Sequence, residues 1–113
     1  ASPIGRRIMN ASRLWREFKF SLLCPAEKIF PGGEGESVLL QGVIDCMIEE
    51  NGGITIIDYK TDRVHGDETL ERAKGYAKQL EAYAYAAQRM TGRPVRECVL
   101  YFLYSGEIVR ADC

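Results

Sequence analysis

The feature that most constrains the fold is the tripeptide Asn51-Gly52-Gly53, which lies between two apolar runs. Asn and Gly accept the positive φ angles of tight strand connections, so the tripeptide predicts a β-hairpin. The first run carries Asp45, and the second carries Asp58 followed two residues later by Lys60. If the turn is made by the first two residues of the tripeptide, Asp45 lies opposite Asp58; if it is made by the last two, Asp45 lies opposite Lys60. Because side chains alternate along a strand, both registers place the three side chains on one face, whereas a three-residue loop without a bulge would separate them.

Opposed carboxylates repel each other on a half-buried sheet, so this pair needs a compensating charge. Mg²⁺, or Mn²⁺ in its place, would supply that charge, since Mg²⁺ takes one or two carboxylates together with waters and phosphate oxygens. The Lys60 ammonium would then orient or help to deprotonate an attacking water and offset charge in the transition state. The alternative is an Asp–Lys pair on a solvated strand face. The apolar flanks favour covered strands and hence the metal site: Val43, Ile44, Met47, Ile48, Ile54, Ile56 and Ile57.

The remaining segments predict further strands. Bulky residues from Leu14 to Cys24 indicate a strand that ends at Pro25, and Pro31 to Glu36 has the composition of a loop. The hairpin strands are expected at 37–50 and 54–61. Another strand is expected from Pro94 to Tyr104, and a tight turn leads from it into a short last strand, Glu107 to Ala111.

One long helix is predicted between the hairpin and the later strands. Asp67 or Thr69 can cap its start, and Gly92 is well placed to end it just after Met90. Apolar residues recur at spacings of three, four and seven, which makes one apolar stripe. Three polar-tipped residues share a broad face of this helix, where Tyr76 is expected at the edge of the core: Tyr76, Gln79 and Tyr83.

Composition narrows the class of protein. The 113 residues suffice for a single domain, with 46% hydrophobic and 27% charged residues, as in ordinary globular proteins. The net charge of −1 supplies no overall basic field for nucleic acid. No apolar run approaches the roughly 20 residues of a membrane span, and no signal peptide is recognised. The four cysteines lack a Cys-x-x-Cys spacing, so zinc and iron–sulfur sites are not expected.

Three motifs, in this order, resemble those of the RecB-type branch of the PD-(D/E)XK nuclease superfamily: Gly42-Val43-Ile44-Asp45, Asp58-Tyr59-Lys60-Thr61-Asp62-Arg63 and Tyr76-x-x-Gln79-Leu80-x-x-Tyr83. Arg16-Glu17-Phe18-x-Phe20 is similar to the strand that precedes them there. The likeness runs from about Arg16 to Val109 and is greatest to the C-terminal nuclease domain of AddAB-type helicase–nucleases. Each motif is short, and it is the ordered set that makes the resemblance specific.

The resemblance implies a Mg²⁺-dependent deoxyribonuclease, the exonuclease module of an ATP-dependent enzyme of double-strand break repair and recombination. The implied partners are DNA, the helicase portion of the same polypeptide and a second protein of the AddB type, in the cytoplasm and without a membrane. The implied site residues are the catalytic Asp45, Asp58 and Lys60, the metal ligands Asp45, Asp58 and the carbonyl of Tyr59, and the DNA-binding Gln79, Tyr83 and Arg63.

The roles of three further residues stay open. Glu17 would either add a third acidic group to the site or be a solvated strand charge. Arg63 would either contact a phosphate or be a solvated loop residue. His65, the only histidine, lies beyond the motif and is interpreted as a loop residue rather than a metal ligand.

The expected fold is of the α/β (α+β) class: a mixed sheet with an antiparallel meander and a crossover helix. This is the αβββαβ plan of the superfamily core, lacking its first helix. Residues 1–113 are expected to be a single nuclease-domain fragment, with 1–13 a helix end or a remnant of a preceding element. Similar nucleases take a histidine ligand from an upstream helix, and nothing before Arg16 supplies one. Weak or no activity is therefore expected from the fragment alone.

Two other functions remain as hypotheses. The chain would be a catalytically silent module of this type that only contacts DNA or braces a partner, or it would be a small standalone nuclease. The intact set of Asp45, Asp58 and Lys60 argues against the silent module, because an inert scaffold gains nothing from opposed carboxylates.

Overall fold

The computed structural model describes residues 2–28 and 32–111, so Pro31 of the predicted loop lies outside the described residues. Within these ranges the α-helices and strands, in chain order, are α1 Pro3–Asn10, β1 Arg13–Pro25, β2 Ser37–Glu50, β3 Gly53–Lys60, α2 Asp67–Lys74, α3 Ala77–Thr91, β4 Val95–Phe102 and β5 Glu107–Ala111. In this part of the chain, no helix has both the length and the apolar character needed to cross a bilayer.

The five strands form one mixed sheet in the order β1-β2-β3-β4-β5. β1, β2 and β3 make an antiparallel meander. β4 runs parallel to β3, and β5 returns antiparallel to β4. The parallel step requires a crossover, which α2 and α3 provide. The predicted mixed sheet, meander and helical crossover are thus confirmed, and β2 and β5 have the predicted bounds.

The hairpin turn has the first of the two predicted registers. Asn51 and Gly52 both have positive φ, 51° and 79°, and Glu50 pairs with Gly53 across the turn. The ladder between β2 and β3 continues to the pair of Cys46 with Ile57 and ends there. One step further, this register sets Asp45 level with Asp58 at the point where the two strands separate.

Each face of the sheet has its own apolar cluster. The larger one lies under α3, and its fully buried members include Ile44, Met47, Ile54, Ile56, Leu80, Ala86, Ala87, Cys98, Leu100 and Phe102. The smaller one lies under α1 and contains Ile4, Cys46, Ile48, Ile57 and Val99. The central strands are therefore covered on both faces, as their near-continuous apolar sequences predict.

The helix between β3 and β4 is not continuous, which corrects the single helix expected from the sequence. α2 ends at Lys74 and α3 begins at Ala77, with Gly75 and Tyr76 between them. The amides of Gly75 and Tyr76 bond three residues back, to the carbonyl oxygens of Arg72 and Ala73. The apolar stripe runs across this break, because a tightened turn changes the direction of the axis without interrupting the order of apolar residues.

The start of the crossover is also capped differently from the prediction. The residue before α2 is Gly66, with a φ of 65° and no side chain to cap the helix. The Glu107 carboxylate of β5 accepts instead from the Gly66 amide, at 3.0 Å, and from the Thr69 hydroxyl, at 2.7 Å. A carboxylate near a helix N-terminus interacts favourably with the unpaired amides there.

A short helix, α1, precedes β1, in the segment where the sequence predicts a helix end or a remnant of a preceding element. α1 buries Ile4 against the smaller cluster. Its Arg7 guanidinium reaches across three strands, donating to Glu50 at 2.7 Å, to Glu97 at 2.7 Å and to Thr55 at 3.3 Å. This anchoring makes α1 part of the folded unit.

Candidate active site

Asp58 lies near the end of β3, on the face covered by α3, and is only 3% exposed. The Lys60 ammonium, from the same strand face, lies 2.9 Å from its Oδ2. This approach is not along a hydrogen-bonding direction, and within the described ranges Oδ2 has no hydrogen-bond donor. Buried polar atoms normally have a hydrogen-bond partner, so this oxygen of Asp58 can still accept a hydrogen bond or bind a cation.

Asp45 brings the second carboxylate to this point from β2. Its Oδ2 accepts a hydrogen bond from the Tyr59 backbone amide at 2.9 Å, across the gap where β2 leaves β3. Burial, together with a hydrogen bond and repulsion from Asp45, raises the pKa of Asp58 to about 6, although Lys60 works in the opposite direction. The two carboxyl groups therefore lie close enough together to share a proton or a cation.

The backbone next to Asp45 is distorted on the β1 side. Arg16 pairs with Cys46, and Phe18 pairs with Ile44. Glu17 is therefore level with Asp45, but it makes no ladder pair and has a φ of 50°. Left-handed backbone is uncommon for residues other than Gly, Asn and Asp, and a single such residue locally redirects its strand.

At this distortion the alternation of side chains between the two faces of the sheet is interrupted on both β1 and β2. Trp15 and Phe18 are three residues apart on β1, yet both pack against the cluster under α3. Met47 and Ile44 show the same interruption on β2. Strict alternation would put the members of each pair on opposite faces. Asp45 therefore lies beside an irregularity of the sheet, at the point where its carboxylate accepts from the Tyr59 amide.

Gln79 and Tyr83 complete the site from α3. The Gln79 amide oxygen accepts from Lys60 Nζ at 2.8 Å, and its amide nitrogen donates to the Tyr83 hydroxyl at 3.2 Å. The Tyr83 ring packs edge-on against Phe20, with centroids 5.8 Å apart. Gly42 makes room for both rings, because a Cβ there would lie 3.0 Å from Phe20 and 3.4 Å from Tyr83. Burial, with repulsion from the two aspartates, raises the pKa of Tyr83.

Most of the predicted site residues come together, and two have no described contact with the others. Asp45, Asp58, Lys60, Gln79 and Tyr83, with the Tyr59 backbone, form one connected group. Arg63 is exposed, and its guanidinium carbon lies 6.0 Å from the Tyr104 ring centroid. Glu17 is exposed beside Asp45. Neither has a described contact with the carboxylate pair.

The sequence interpretation missed the contacts of Tyr76 and Asp62. The Lys60 ammonium lies 3.9 Å from the centroid of the Tyr76 ring. The Tyr76 hydroxyl donates to both carboxylate oxygens of Asp62, at 2.9 and 3.1 Å. Both residues belong to the motifs quoted above, and Tyr76 also packs against the larger cluster, at the edge of the core.

The donor set fits a hard divalent cation. Asp45 and Asp58 offer carboxylate oxygens, and the oxygen of Asp58 that has no donor is the kind of ligand Mg²⁺ prefers. No group of three or more His, Cys, Asp or Glu side chains gathers at any point in residues 2–28 and 32–111. A cation held here would thus take its remaining ligands from water, backbone carbonyls or substrate, which is usual for Mg²⁺.

The chain is similar in sequence to known proteins. The model of the PD-(D/E)XK nuclease superfamily matches residues 5–111. An ATP-dependent helicase/nuclease subunit of Carboxydothermus hydrogenoformans is 45% identical over 112 residues, which cover 97% of this chain and 10% of that protein. The proteins of the same name from Desulforamulus reducens and Bacillus anthracis are 41% and 40% identical, over 96% and 98% of this chain and 9% and 10% of their own lengths. The chain spans about a tenth of the length of these curated relatives.

Proposed function

We propose, since the chain belongs to the PD-(D/E)XK nuclease superfamily, that residues 1–113 form a nuclease module that hydrolyses DNA phosphodiesters with a divalent metal ion. The observation that carries the proposal is the buried pair of Asp45 and Asp58, with one carboxylate oxygen lacking a donor and the Lys60 ammonium beside it. Two carboxylates with one cation leave the site short of positive charge, and Mg²⁺ or Mn²⁺ would supply it.

In the proposed reaction, water adds to phosphorus and one P–O ester bond breaks, which leaves a phosphomonoester and an alcohol. Asp45, Asp58 and the carbonyl of Tyr59 would hold the metal ion, which supplies Lewis-acid polarisation of the phosphate and lowers the pKa of a bound water. The Lys60 ammonium would stabilise the negative charge that builds on the phosphate oxygens. It is already desolvated, with its side chain 13% exposed, so its charge is poorly screened.

The substrate and partners follow from the relatives. Their name, which describes part of an ATP-dependent helicase/nuclease, supports a module attached to a helicase portion of the same polypeptide. We place Gln79 and Tyr83 against the DNA strand, because both border the carboxylates, and Arg63 at the outer rim. A partner protein of the AddB type, a cytoplasmic location and a role in double-strand break repair and recombination belong to the same proposal.

One observation favours a second candidate function. The described residues offer two acidic side chains at the site and no third ligand from His, Cys, Asp or Glu. Two carboxylates hold Mg²⁺ well only when waters and substrate oxygens complete its coordination. A catalytically silent module that contacts DNA through the same surface would need no complete metal centre, and it is the alternative that the experiment must separate from the nuclease.

The test is a Mn²⁺ titration of the chain by calorimetry, repeated with the Asp45→Ala/Asp58→Ala double variant. The matched control is Glu71→Ala/Glu81→Ala, which also removes two carboxylates, but from exposed helix positions. We expect the double variant to bind at least about tenfold more weakly, and the control to bind as the unmodified chain does. Equal affinity in all three proteins would refute the proposed metal site.

Cleavage separates the two candidate functions. A labelled DNA strand is incubated with Mg²⁺ and with the full polypeptide that contains this chain. Metal binding with cleavage supports the nuclease. Metal binding without cleavage, together with DNA binding that survives the double substitution, supports the silent module.

A further inference from the structure

Lys60 is held by more than the carboxylate it neutralises. Its Nζ lies 2.9 Å from Asp58 Oδ2 and 2.8 Å from Gln79 Oε1. A third contact comes from the face of the Tyr76 ring, whose centroid is 3.9 Å away. A lysine stem is long and flexible, so without several partners its ammonium would sample many positions.

The Tyr76 ring reaches Lys60 because the crossover helix breaks there. Tyr76 has φ −98° and ψ 1°, which is not helical, and its carbonyl accepts the first bond of α3, from the Leu80 amide at 3.1 Å. Gly75, just before it, closes the tightened turn that ends α2. The break thus fixes the backbone of Tyr76 from both sides.

The Tyr76 hydroxyl is fixed as well. It donates to both oxygens of Asp62, and Arg72 Nη1 lies 2.8 Å from Asp62 Oδ2. Burial would raise the pKa of Asp62, but the hydrogen bonds from Tyr76 and Arg72 outweigh burial and lower it. Asp62 is therefore an ionised acceptor for the phenol, and it connects the loop after β3 to α2 and α3.

We propose that Tyr76 and Asp62 are positioning residues that hold the Lys60 ammonium at the carboxylate pair. The inference rests on the proposed function, since Lys60 matters to a reaction only if the module cleaves phosphodiesters. The Tyr76 ring supplies the cation–π face, and Asp62 fixes the orientation of that ring. A displaced ammonium would slow catalysis without changing metal affinity, because the metal-binding oxygens stay where they are.

The test compares two substitutions of one tyrosine. Tyr76→Phe keeps the ring and loses the bond to Asp62, whereas Tyr76→Leu loses the ring. Tyr85→Phe and Tyr85→Leu are the matched controls, because Tyr85 lies on α3, which begins directly after Tyr76, and contacts Arg89 instead of Lys60. The first readout is the NMR shift of the Lys60 ε-methylene protons, which a ring face displaces upfield.

We expect Tyr76→Leu to abolish the upfield shift, Tyr76→Phe to retain most of it, and both controls to leave it unchanged. In the cleavage assay, we expect kcat to fall about tenfold for Tyr76→Leu and less for Tyr76→Phe. Mn²⁺ affinity and KM should stay within about twofold. Asp62→Asn should resemble Tyr76→Phe.

Two results would overturn the inference: a Lys60 shift that is the same with Tyr76→Leu, or a Tyr76→Leu enzyme whose KM and kcat change by equal factors. Failure of the proposed function looks different. If the chain does not cleave DNA, the Lys60 shift still reports whether Tyr76 holds the ammonium, and the Asp45→Ala/Asp58→Ala titration reports separately on the metal site.

Discussion

Two clusters of charged side chains lie on this sheet, and they balance their charges differently. In the first, two guanidinium groups, those of Arg7 and Arg110, serve two carboxylates, those of Glu50 and Glu97. The hydrogen bond from Arg7 is the main cause that lowers the pKa of Glu50. Burial would raise the pKa of Glu97, but bonds from Arg7 and Arg110 outweigh burial and lower it too. Each carboxylate in this cluster has a cationic partner, so we call these four residues, Arg7, Glu50, Glu97 and Arg110, the matched cluster.

The second cluster has two carboxylates, Asp45 and Asp58, and one ammonium, that of Lys60. Here the pKa of Asp58 is raised to about 6, mainly by burial, and one of its oxygens lacks a donor. Cavities of about 460 and 750 Å³ lie beside Arg7 and beside α2, and neither is lined by Asp45 or Asp58, so cavities alone would direct attention away from the carboxylate pair. The difference supports the proposal that unbalanced charge, rather than charge or cavity alone, marks the metal site.

The largest expected effect is on DNA cleavage, which substitutions in the second cluster should lower and a substitution in the matched cluster should not. Asp58→Ala or Lys60→Ala, made in the proposed helicase–nuclease, should lower DNA cleavage about a thousandfold or more, because the proposed mechanism places each of these side chains at the reacting phosphate. ATP hydrolysis by the proposed helicase portion should be unaffected. Cleavage of a labelled strand measures the effect, with Glu97→Gln as the control from the matched cluster. Cleavage retained by either variant would remove that residue from the proposed mechanism.

The next effect is on the stability of the fold. Arg7→Met should lower the free energy of unfolding by about 1–2 kcal/mol, because it leaves the two carboxylates of Glu50 and Glu97 with Arg110 as the remaining cation of the cluster. The figure is below that of a fully buried pair, since the Arg7 side chain is 29% exposed and partly screened. Urea unfolding followed by circular dichroism measures it. An unchanged midpoint would mean that the matched cluster contributes nothing to folding.

Asp58→Asn should act in the opposite direction, stabilising the metal-free protein by about 1–2 kcal/mol at pH 8, because it removes a buried charge that lacks a full partner. The folded pKa of Asp58, about 6, lies above its ordinary value of 3.8. Protonation of Asp58 therefore favours the folded state fully below pH 4, and this contribution is lost as the pH rises through 6. The advantage of the variant should thus appear between pH 4 and 7.

The matched cluster should show the reverse pH dependence. The lowered pKa of Glu50 means that its ionised form stabilises the fold at neutral pH, and that this stabilisation is lost as the pH falls. Glu50→Gln should therefore be destabilising at pH 7 and nearly neutral in acid. Thermal unfolding of Asp58→Asn and Glu50→Gln across pH 4 to 8 tests both signs, and parallel curves for the two variants would show that the clusters do not differ.

What the sequence predicted about the site depended on local rules. The turn at Asn51 and Gly52 and the period of two along a strand together placed Asp45, Asp58 and Lys60 on one face. The matched cluster could not be predicted in this way, because Arg7 and Glu50 lie far along the chain from Glu97 and Arg110. No spacing rule brings these two pairs together; only the completed sheet does.

Two local features also escaped prediction, and both lie at the site. The break at Gly75 cannot be seen in the sequence, because the apolar stripe continues across it. The irregular backbone at Glu17 cannot be seen either, because β1 pairs with β2 in the same register on either side of it. Irregular backbone is easily missed where the sequence pattern stays regular. Irregular backbone of this kind is expected near active sites.

The smallest expected effect tests that last point. Glu17→Gly should change the free energy of unfolding by less than about 1 kcal/mol, and in the stabilising direction, because relief of left-handed backbone outweighs the added freedom of glycine in the unfolded chain. Asn51→Gly is the control: its φ of 51° is nearly the same as the 50° of Glu17, but Asn tolerates this conformation. Urea unfolding measures both. If Glu17→Gly also weakens Mn²⁺ binding, Glu17 serves the metal site as a third acid; if binding is unchanged, the site does not need this carboxylate, since glycine keeps the left-handed backbone at this position.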